Sequence, residues 1–430
     1  MSDSTINERE LHFIAIGGAG MSGLALVCHR LGARVSGSDR AESSYLGRLR
    51  EAGIDARVGH DAESVPPTAE VVISTAVADD NPELTAARAR GQRVIHRGEL
   101  LAELCRRKRL LAVAGTHGKT TTTGMLVHAL RSIGADPAFF IGGELPGAGE
   151  EGSAANAGWG EGEWAIAEAD ESDGSFLELR PEVAVITNVE LDHHSRWSSL
   201  AELNEAFAAF VAPAAAVAVG EGVAIEADRV LPFDAERPGP ELELAVPGRH
   251  NRLNARAALA SLELAGFDPQ AAATALASFP GIRRRQELKG RTASGAAVYD
   301  DYAHHPTEVA ATLEALRELS PGRLVAIFQP HLYSRTKALA GRFGAALAAA
   351  DEVGVLDVYA AREQPVGALE GVSGLDVARA AAERAGGRPV LWLRDAETAL
   401  KVLPGRLRSG DLVVTIGAGD IHELAENLIA

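Results

Sequence analysis

The stretch LAVAGTHGKTTTTG (111–124) sets Gly115, Gly118, a lysine and four consecutive threonines directly after an apolar run. Residues of those types at that spacing suit phosphate chemistry. Gly115 and Gly118 leave backbone N–H groups free to wrap an anion at a helix N-terminus. Lys119 is placed to reach the β- and γ-phosphates, and the Thr120 hydroxyl to ligate Mg²⁺. Lys119 is therefore expected on a solvated anion site rather than in a core. The plainer reading is a polar turn before a threonine-capped helix. The G-x-x-G-K-T order nevertheless falls between a strand (Leu110–Ala114) and a helix, the setting a phosphate loop requires.

Other stretches offer groups for the same chemistry. Gly18, Gly20 and Gly23 spell G-x-G-x-x-G after a first strand, and Asp39 ends the second. A pyrophosphate can approach such a glycine-lined helix start, and NAD, FAD and a UDP-sugar all carry one. A purely structural turn and a NAD-dependent oxidoreductase both stay open on this motif alone. EADESDGSFL (168–177) gathers four acids within six residues, which read either as a solvated loop or as carboxylates for a nucleotide-bound metal. TNVELDHHS (187–195) ends another strand with Asp192, His193 and His194. GRHNRLNA (248–255) opens a helix with Asn251 and Asn254 three apart on one face. DDYAHHPTE (300–308) and FQPHLYSRT (328–336) are two further strand ends bearing His, Asp and Arg. Ligands of open α/β sheets collect at such carboxyl ends.

These residues need a scaffold, and the pattern supplies one. Short β-rich runs alternate with alanine-rich helical stretches throughout, indicating α/β architecture with parallel sheets. At 430 residues the chain exceeds one core. A first block holds strands at 11–16, up to Asp39 and at 70–75, and closes with a helix near Glu99–Arg107. A second holds strands at 110–114, 164–168 and 183–187, with helices near 199–212 and 253–265. A third begins after FPGIRRRQE (279–287), with strands at 296–300, 323–329, 352–358, 389–393 and 411–416. The Gly-rich stretch 142–162 reads as a long loop, and 213–247 as irregular chain with weak strand signals only.

Composition narrows the partners. A formal net charge of −17 argues against general nucleic-acid binding. Positive charge is instead gathered locally, at Arg283–Arg285, Arg249–His250 and Arg335/Lys337. No apolar run reaches membrane-spanning length, the polar start MSDSTINERE has no signal-peptide pattern, and two cysteines give no metal cluster. A cytoplasmic protein without membrane insertion is expected, with Cys28 packed as a small helix residue.

Taken together, HFIAIGGAGMSGLA, VSGSD, GTHGKTTTTGM, EADESDGSFL, TNVELDHHS, PGRHNRLNA, DDYAHHPTEV and FQPHLYSRT resemble the Mur ligase family, in the family's order from residue 12 to 336. The resemblance is nearest to the branch adding L-alanine to UDP-N-acetylmuramate, and ESDGSF and the chain length favour it over the branch that attaches a preformed murein tripeptide. It implies three α/β domains: a Rossmann-like UDP-sugar domain (1–107), a central P-loop ATPase domain (108–281) and a Rossmann-like amino-acid domain (282–430). The implied ligands are UDP-N-acetylmuramate, L-alanine, ATP and Mg²⁺.

Carried over by position, the resemblance gives ATP to Gly115, Thr116, His117, Gly118, Lys119, Thr120, Thr121, Asn251, Asn254, Arg285 and Asp301. It gives the metal to Thr120, Glu168 and His193, and the UDP-sugar to Gly18, Ala19, Gly20, Met21, Ser22 and Asp39. His305 and Arg335 fall where the amino-acid carboxylate is expected. Lys119, Glu168, His193, Arg285 and Asp301 are the implied catalytic set. Two departures stand out: Leu332 follows FQPH where the family commonly has arginine, and 213–247 is shorter than the usual insert.

Overall fold

A computed structural model describes residues 5–149, 155–191, 196–235, 239–361 and 363–429. The alternating pattern becomes three sheets. The first holds β1 (Glu10–Ile14), β2 (Arg34–Asp39), β3 (Asp55–Val58), β4 (Glu70–Ile73) and β5 (Val94–His96), in the order β3-β2-β1-β4-β5 and wholly parallel. Helices on both faces bury β1, which is why it reads as an apolar run. Strand order reverses beside β1, and that opens a crevice at its carboxyl end, where the glycine turn lies.

The second sheet holds β6 (Arg109–Ala114), β7 (Ala138–Leu145), β8 (Ala155–Gly158), β9 (Trp164–Glu168), β10 (Val183–Ile186), β11 (Ala216–Gly220) and β12 (Val230–Phe233). Their order is β12-β11-β10-β6-β9-β7-β8, and only the β7–β8 pair is antiparallel. The third holds β13 (Glu287–Arg291), β14 (Ala297–Asp301), β15 (Leu324–Phe328), β16 (Glu352–Leu356), β17 (Val390–Arg394) and β18 (Leu412–Ile416). It runs β13-β14-β18-β15-β16-β17, parallel except at β13–β14. Helical side chains cover both of its faces, Phe343 and Leu313 on one and Leu424 and Leu428 on the other.

The chain divides into two compact units, residues 1–244 with 253–280, and residues 245–252 with 281–430. The first unit carries two sheets joined by one buried cluster, which runs from Ile6 to Val219. Within it the helix Ala19–Arg30 packs on β8 so closely that a Cβ on Gly23 would lie 2.8 Å from the Ala157 Cβ. Cys28 is buried in this cluster, and burial pushes both its thiol and that of Cys105 up to about 12.

Two readings of the sequence fail here. The Gly-rich stretch is not all loop, because β7 extends to Leu145 and pairs with β8, Phe140 opposite Ala157. Glycine hides a strand that it also permits: a Cβ on Gly158 would sit 2.5 Å from the Phe139 ring. Residues 150–154 lie outside the described residues. The stretch 213–247 holds a fully buried strand, β11, whose alanines weaken its β signal.

Candidate active site

β6 delivers the chain into the phosphate loop. Gly115 turns with φ +125°, and Gly118 precedes the helix Lys119–Ser132 in the left-handed region at φ +82°. Neither position has room for a side chain, since a Cβ would meet Thr187 Oγ1 at 2.1 Å or Asn254 Oδ1 at 2.4 Å. Asn188 fixes the crest of the loop: its Oδ1 accepts the His117 N–H at 2.9 Å and its Nδ2 donates to the His117 carbonyl at 3.0 Å. Thr187 Oγ1 donates to that same carbonyl at 2.6 Å. Thr116 Oγ1 donates to the Glu190 carbonyl at 2.9 Å, and His117 Nε2 lies 3.2 Å from a Glu190 carboxylate oxygen. Thr120 to Thr123 are buried, and Thr122 Oγ1 donates to Asn254 Oδ1 at 3.3 Å.

Lys119 is not on a solvated site. Its side chain is 12% exposed, and Nζ donates to the Gly115 carbonyl at 2.7 Å and lies 2.9 Å from Glu171 Oε2. Burial opposes the ammonium charge, but Glu171, Asp170 and Glu168 together outweigh it and hold the lysine above its usual range. Burial pushes the Glu171 carboxyl upward, against the pull of Lys119. Sequence reasoning missed Glu171. The acidic run contained it, but spacing alone could not say which acid faces the lysine.

Glu168, at the end of β9, accepts from Thr120 Oγ1 at 2.9 Å through one oxygen and from the Gly142 N–H at 2.7 Å through the other. A hydroxyl and a carboxylate this close, both hard oxygen donors, fit a magnesium ion. His193 falls outside the described residues. Further along the acidic loop, Arg97 Nη2 pairs with Asp173 at 2.8 Å and Asp170 at 3.2 Å. Burial raises the Asp170 carboxyl, yet Lys119 and Arg97 outweigh this and keep it below the usual range.

At the glycine turn, Asp39 Oδ2 accepts the Gly17 N–H at 2.9 Å, and Gly18 caps the helix without a side chain. Met21 and Ser22 are buried. What Gly18, Ala19 and Gly20 present is backbone at a helix start, and the guanidinium of Arg97 is the nearest group to a Cβ built on Gly20, at 3.4 Å.

The second unit gathers its own set. Asp301, at the end of β14, is 4% exposed and accepts the Gln286 and Ala303 N–H groups, each at 2.8 Å. Burial lifts its carboxyl to about 6, with Arg285 opposing. The Arg285 guanidinium lies 5.2 Å over the Tyr302 ring. Arg284 turns back to Asp300 at 3.2 Å, which separates the roles of the arginine run. Asn251 Nδ2 donates to the Pro247 carbonyl at 2.7 Å and to Gln286 Oε1 at 3.1 Å.

His305 is buried and caps the helix Pro306–Glu318, its Nδ1 accepting from the Thr307 N–H at 3.4 Å. Arg335 Nη1 lies 3.3 Å from His331 Nδ1, and the His331 ring centroid stands 6.2 Å from that of His304. Burial drops His304 to about 4, so that ring is neutral near pH 7. The structure thus sets Arg335 beside His331 and His304, two histidines that the sequence reading did not single out. Leu332 holds φ +69° and its N–H donates to the Tyr359 carbonyl at 3.0 Å.

Three family descriptions match the chain in order: Mur ligase family, catalytic domain, at residues 10–109; Mur ligase middle domain at 113–222; and Mur ligase, glutamate ligase domain, at 284–419. A UDP-N-acetylmuramate–L-alanine ligase of Mycobacterium sp. (strain JLS) is 44% identical, covering 98% of this chain and 95% of its own. Its counterpart from Rubrobacter xylanophilus is also 44% identical, over 98% and 99%. The crystal structure of a UDP-N-acetylmuramate–alanine ligase from Thermotoga maritima superimposes with a TM-score of 0.83 at 29% identity, covering 98% of both chains. A murein peptide ligase from Psychrobacter arcticus shares the fold, with a TM-score of 0.70 at 23% identity over 98% of both chains.

Proposed function

The chain belongs to the Mur ligase family, and from that footing we infer that it joins L-alanine to the lactyl carboxylate of UDP-N-acetylmuramate, consuming ATP in peptidoglycan precursor synthesis. The observation that carries this reading is the 44% identity, along nearly the whole chain, to enzymes that bear that activity in their names. We assign the UDP-sugar to a domain at 1–107, ATP to one at 108–281 and the amino acid to one at 282–430. These substrates belong to the cytoplasm, where we place the protein.

A lactyl carboxylate is a poor electrophile because oxide is a poor leaving group. Transfer of the γ-phosphoryl group of ATP to one carboxylate oxygen makes an acyl phosphate, with ADP leaving. The alanine amine then adds to the acyl carbon, and the tetrahedral species expels phosphate to leave an amide. No protein nucleophile is needed. The work left to the chain is positioning and charge compensation.

Lys119, kept charged by the acids around it, serves the β- and γ-phosphates from the loop that Asn188 and Thr187 hold rigid. Thr120 and Glu168, with His193, would hold a magnesium ion, which supplies charge screening along the phosphates. Thr116, His117 and Thr121 line the same loop, and Asn251 and Asn254 hold the nucleotide. Arg285 offsets charge on the transferring group, and Asp301 steadies the nucleotide from the third domain. Gly18, Ala19 and Gly20 offer N–H groups to the UDP pyrophosphate, with Met21 and Ser22 anchoring their helix and Asp39 the turn. Arg335 receives the alanine carboxylate, and His305 fixes the start of the helix beside it.

The test is oxygen transfer. Substrate labelled with ¹⁸O in the lactyl carboxylate should deliver one labelled oxygen to the released phosphate in each turnover. Label confined to the amide would contradict activation through an acyl phosphate.

A further inference from the structure

The parallel strands of the second sheet have a second end. Just ahead of β6, β9, β10 and β11 a cavity of about 760 Å³ opens, lined by the run Arg106–Leu110 together with Glu163, Arg180, Glu182 and Pro213. The phosphate loop stands at the other end of β6, about 17 Å away at the rise of a strand. Five basic residues meet here in a chain whose formal net charge is −17.

Two of the five are committed. Lys108 Nζ donates to the carbonyls of Gly160, at 2.9 Å, and Gly162. Arg109 forms a double bond-pair with Glu182, at 2.9 and 2.6 Å, and lies 4.2 Å over the Trp164 ring. They build a wall. Arg106 and Arg107 are exposed and have no side-chain hydrogen bond or ion pair among the described residues. Arg180 donates only to the Leu177 and Leu179 carbonyls, at 2.8 and 3.0 Å. Three guanidinium groups without carboxylate partners therefore line one open depression, where both acids, Glu182 by hydrogen bonds and Glu163 by its charge, act on Arg109.

We propose that this cavity is a second anion site, separate from the phosphate loop, that takes a compact soluble polyanion carrying two or more phosphate groups. Its volume suits a small molecule. Guanidinium forks match phosphate oxygens in pairs, which is what two neighbouring arginines and a third across the mouth can offer. An anionic lipid headgroup shares this chemistry, but a chain with a formal net charge of −17 is repelled by an extended anionic membrane far more than by one small free anion, which favours the free molecule. The net charge of −17 repels anions from the surface as a whole, so anion binding depends on local basic clusters such as this one.

The experiment titrates inorganic tripolyphosphate into the full chain by calorimetry, with a non-hydrolysable ATP analogue saturating the phosphate loop. One binding event is expected to remain. The double variant Arg106→Gln/Arg107→Gln should weaken it by about 10-fold or more, while melting temperature and ligase turnover without polyphosphate stay as in the unaltered protein. Arg180→Gln should weaken it by a smaller factor, and the double change Lys119→Met/Glu171→Gln, which disables the phosphate loop without leaving a buried charge unpaired, should leave it in place. Equal affinity in the arginine double variant, or loss of the event in a folded Lys119→Met/Glu171→Gln protein, would overturn the proposal. Vesicles containing phosphatidylglycerol supply the other arm. Sedimentation with them, abolished by the double variant and unaffected by tripolyphosphate, would overturn the soluble ligand.

Discussion

Lys119 shows how a single side chain serves two needs. It is held by the Gly115 carbonyl and by Glu171, itself 1% exposed, in the loop that is to bind phosphate. Lys119→Ala should lower turnover by about 10²–10³ or more. It should also cost roughly 3–5 kcal/mol of stability, because it leaves a buried carboxylate without its cation. The double change Lys119→Met/Glu171→Gln should recover most of that stability and none of the activity. Urea denaturation and phosphate release together check this, and a stable, inactive Lys119→Ala would contradict the buried pair.

Asp301 carries a pH signature. Its folded carboxyl titrates near 6 against an ordinary 3.8, so the protonated form favours the folded state. That contribution is complete below pH 3.8 and lost as pH rises through 6. Asp301→Asn removes it. The stability of the variant relative to the unaltered protein should therefore climb by roughly 2–3 kcal/mol between pH 4 and 7 and level off above. Denaturation at pH 4.5 and 7.5 measures this, and a difference that does not change with pH would refute it.

At the scale of elements, the strand-to-turn-to-helix units were readable because each couples an apolar run to glycine or a capping residue. β6 and its loop, the glycine turn and the strand ending at Asp301 were all visible in this way. β11 was not, since its alanines carry little β preference, nor was the β7–β8 pair, where glycine reads as loop. The choice of Glu171 from a run of acids, and of Arg284 from three arginines, depends on which way a loop turns, and no spacing rule contains that. The glycine turn gives a prediction of its own. A side chain on Gly20 would project toward Arg97 and over the helix start. Gly20→Val should raise KM for UDP-N-acetylmuramate about 10-fold or more and leave KM for ATP within about twofold. Equal effects on both would mean that the turn only supports the fold.

Across the whole molecule, three sheets present carboxyl ends bearing, in turn, a glycine turn, a phosphate loop and a buried aspartate. Family descriptions cover these sheets in the same order. No helix among the described residues is long and apolar enough to cross a membrane. On this assembly L-alanine, rather than a preformed peptide, is the group joined to the sugar. Phosphate release measured with ATP and UDP-N-acetylmuramate, adding L-alanine, glycine, L-serine or the murein tripeptide in turn, tests it most directly. Release should require the UDP-sugar and be fastest with L-alanine, with kcat/KM about 10-fold or more above that for the tripeptide. Release that is faster with the tripeptide, or independent of the UDP-sugar, would contradict it.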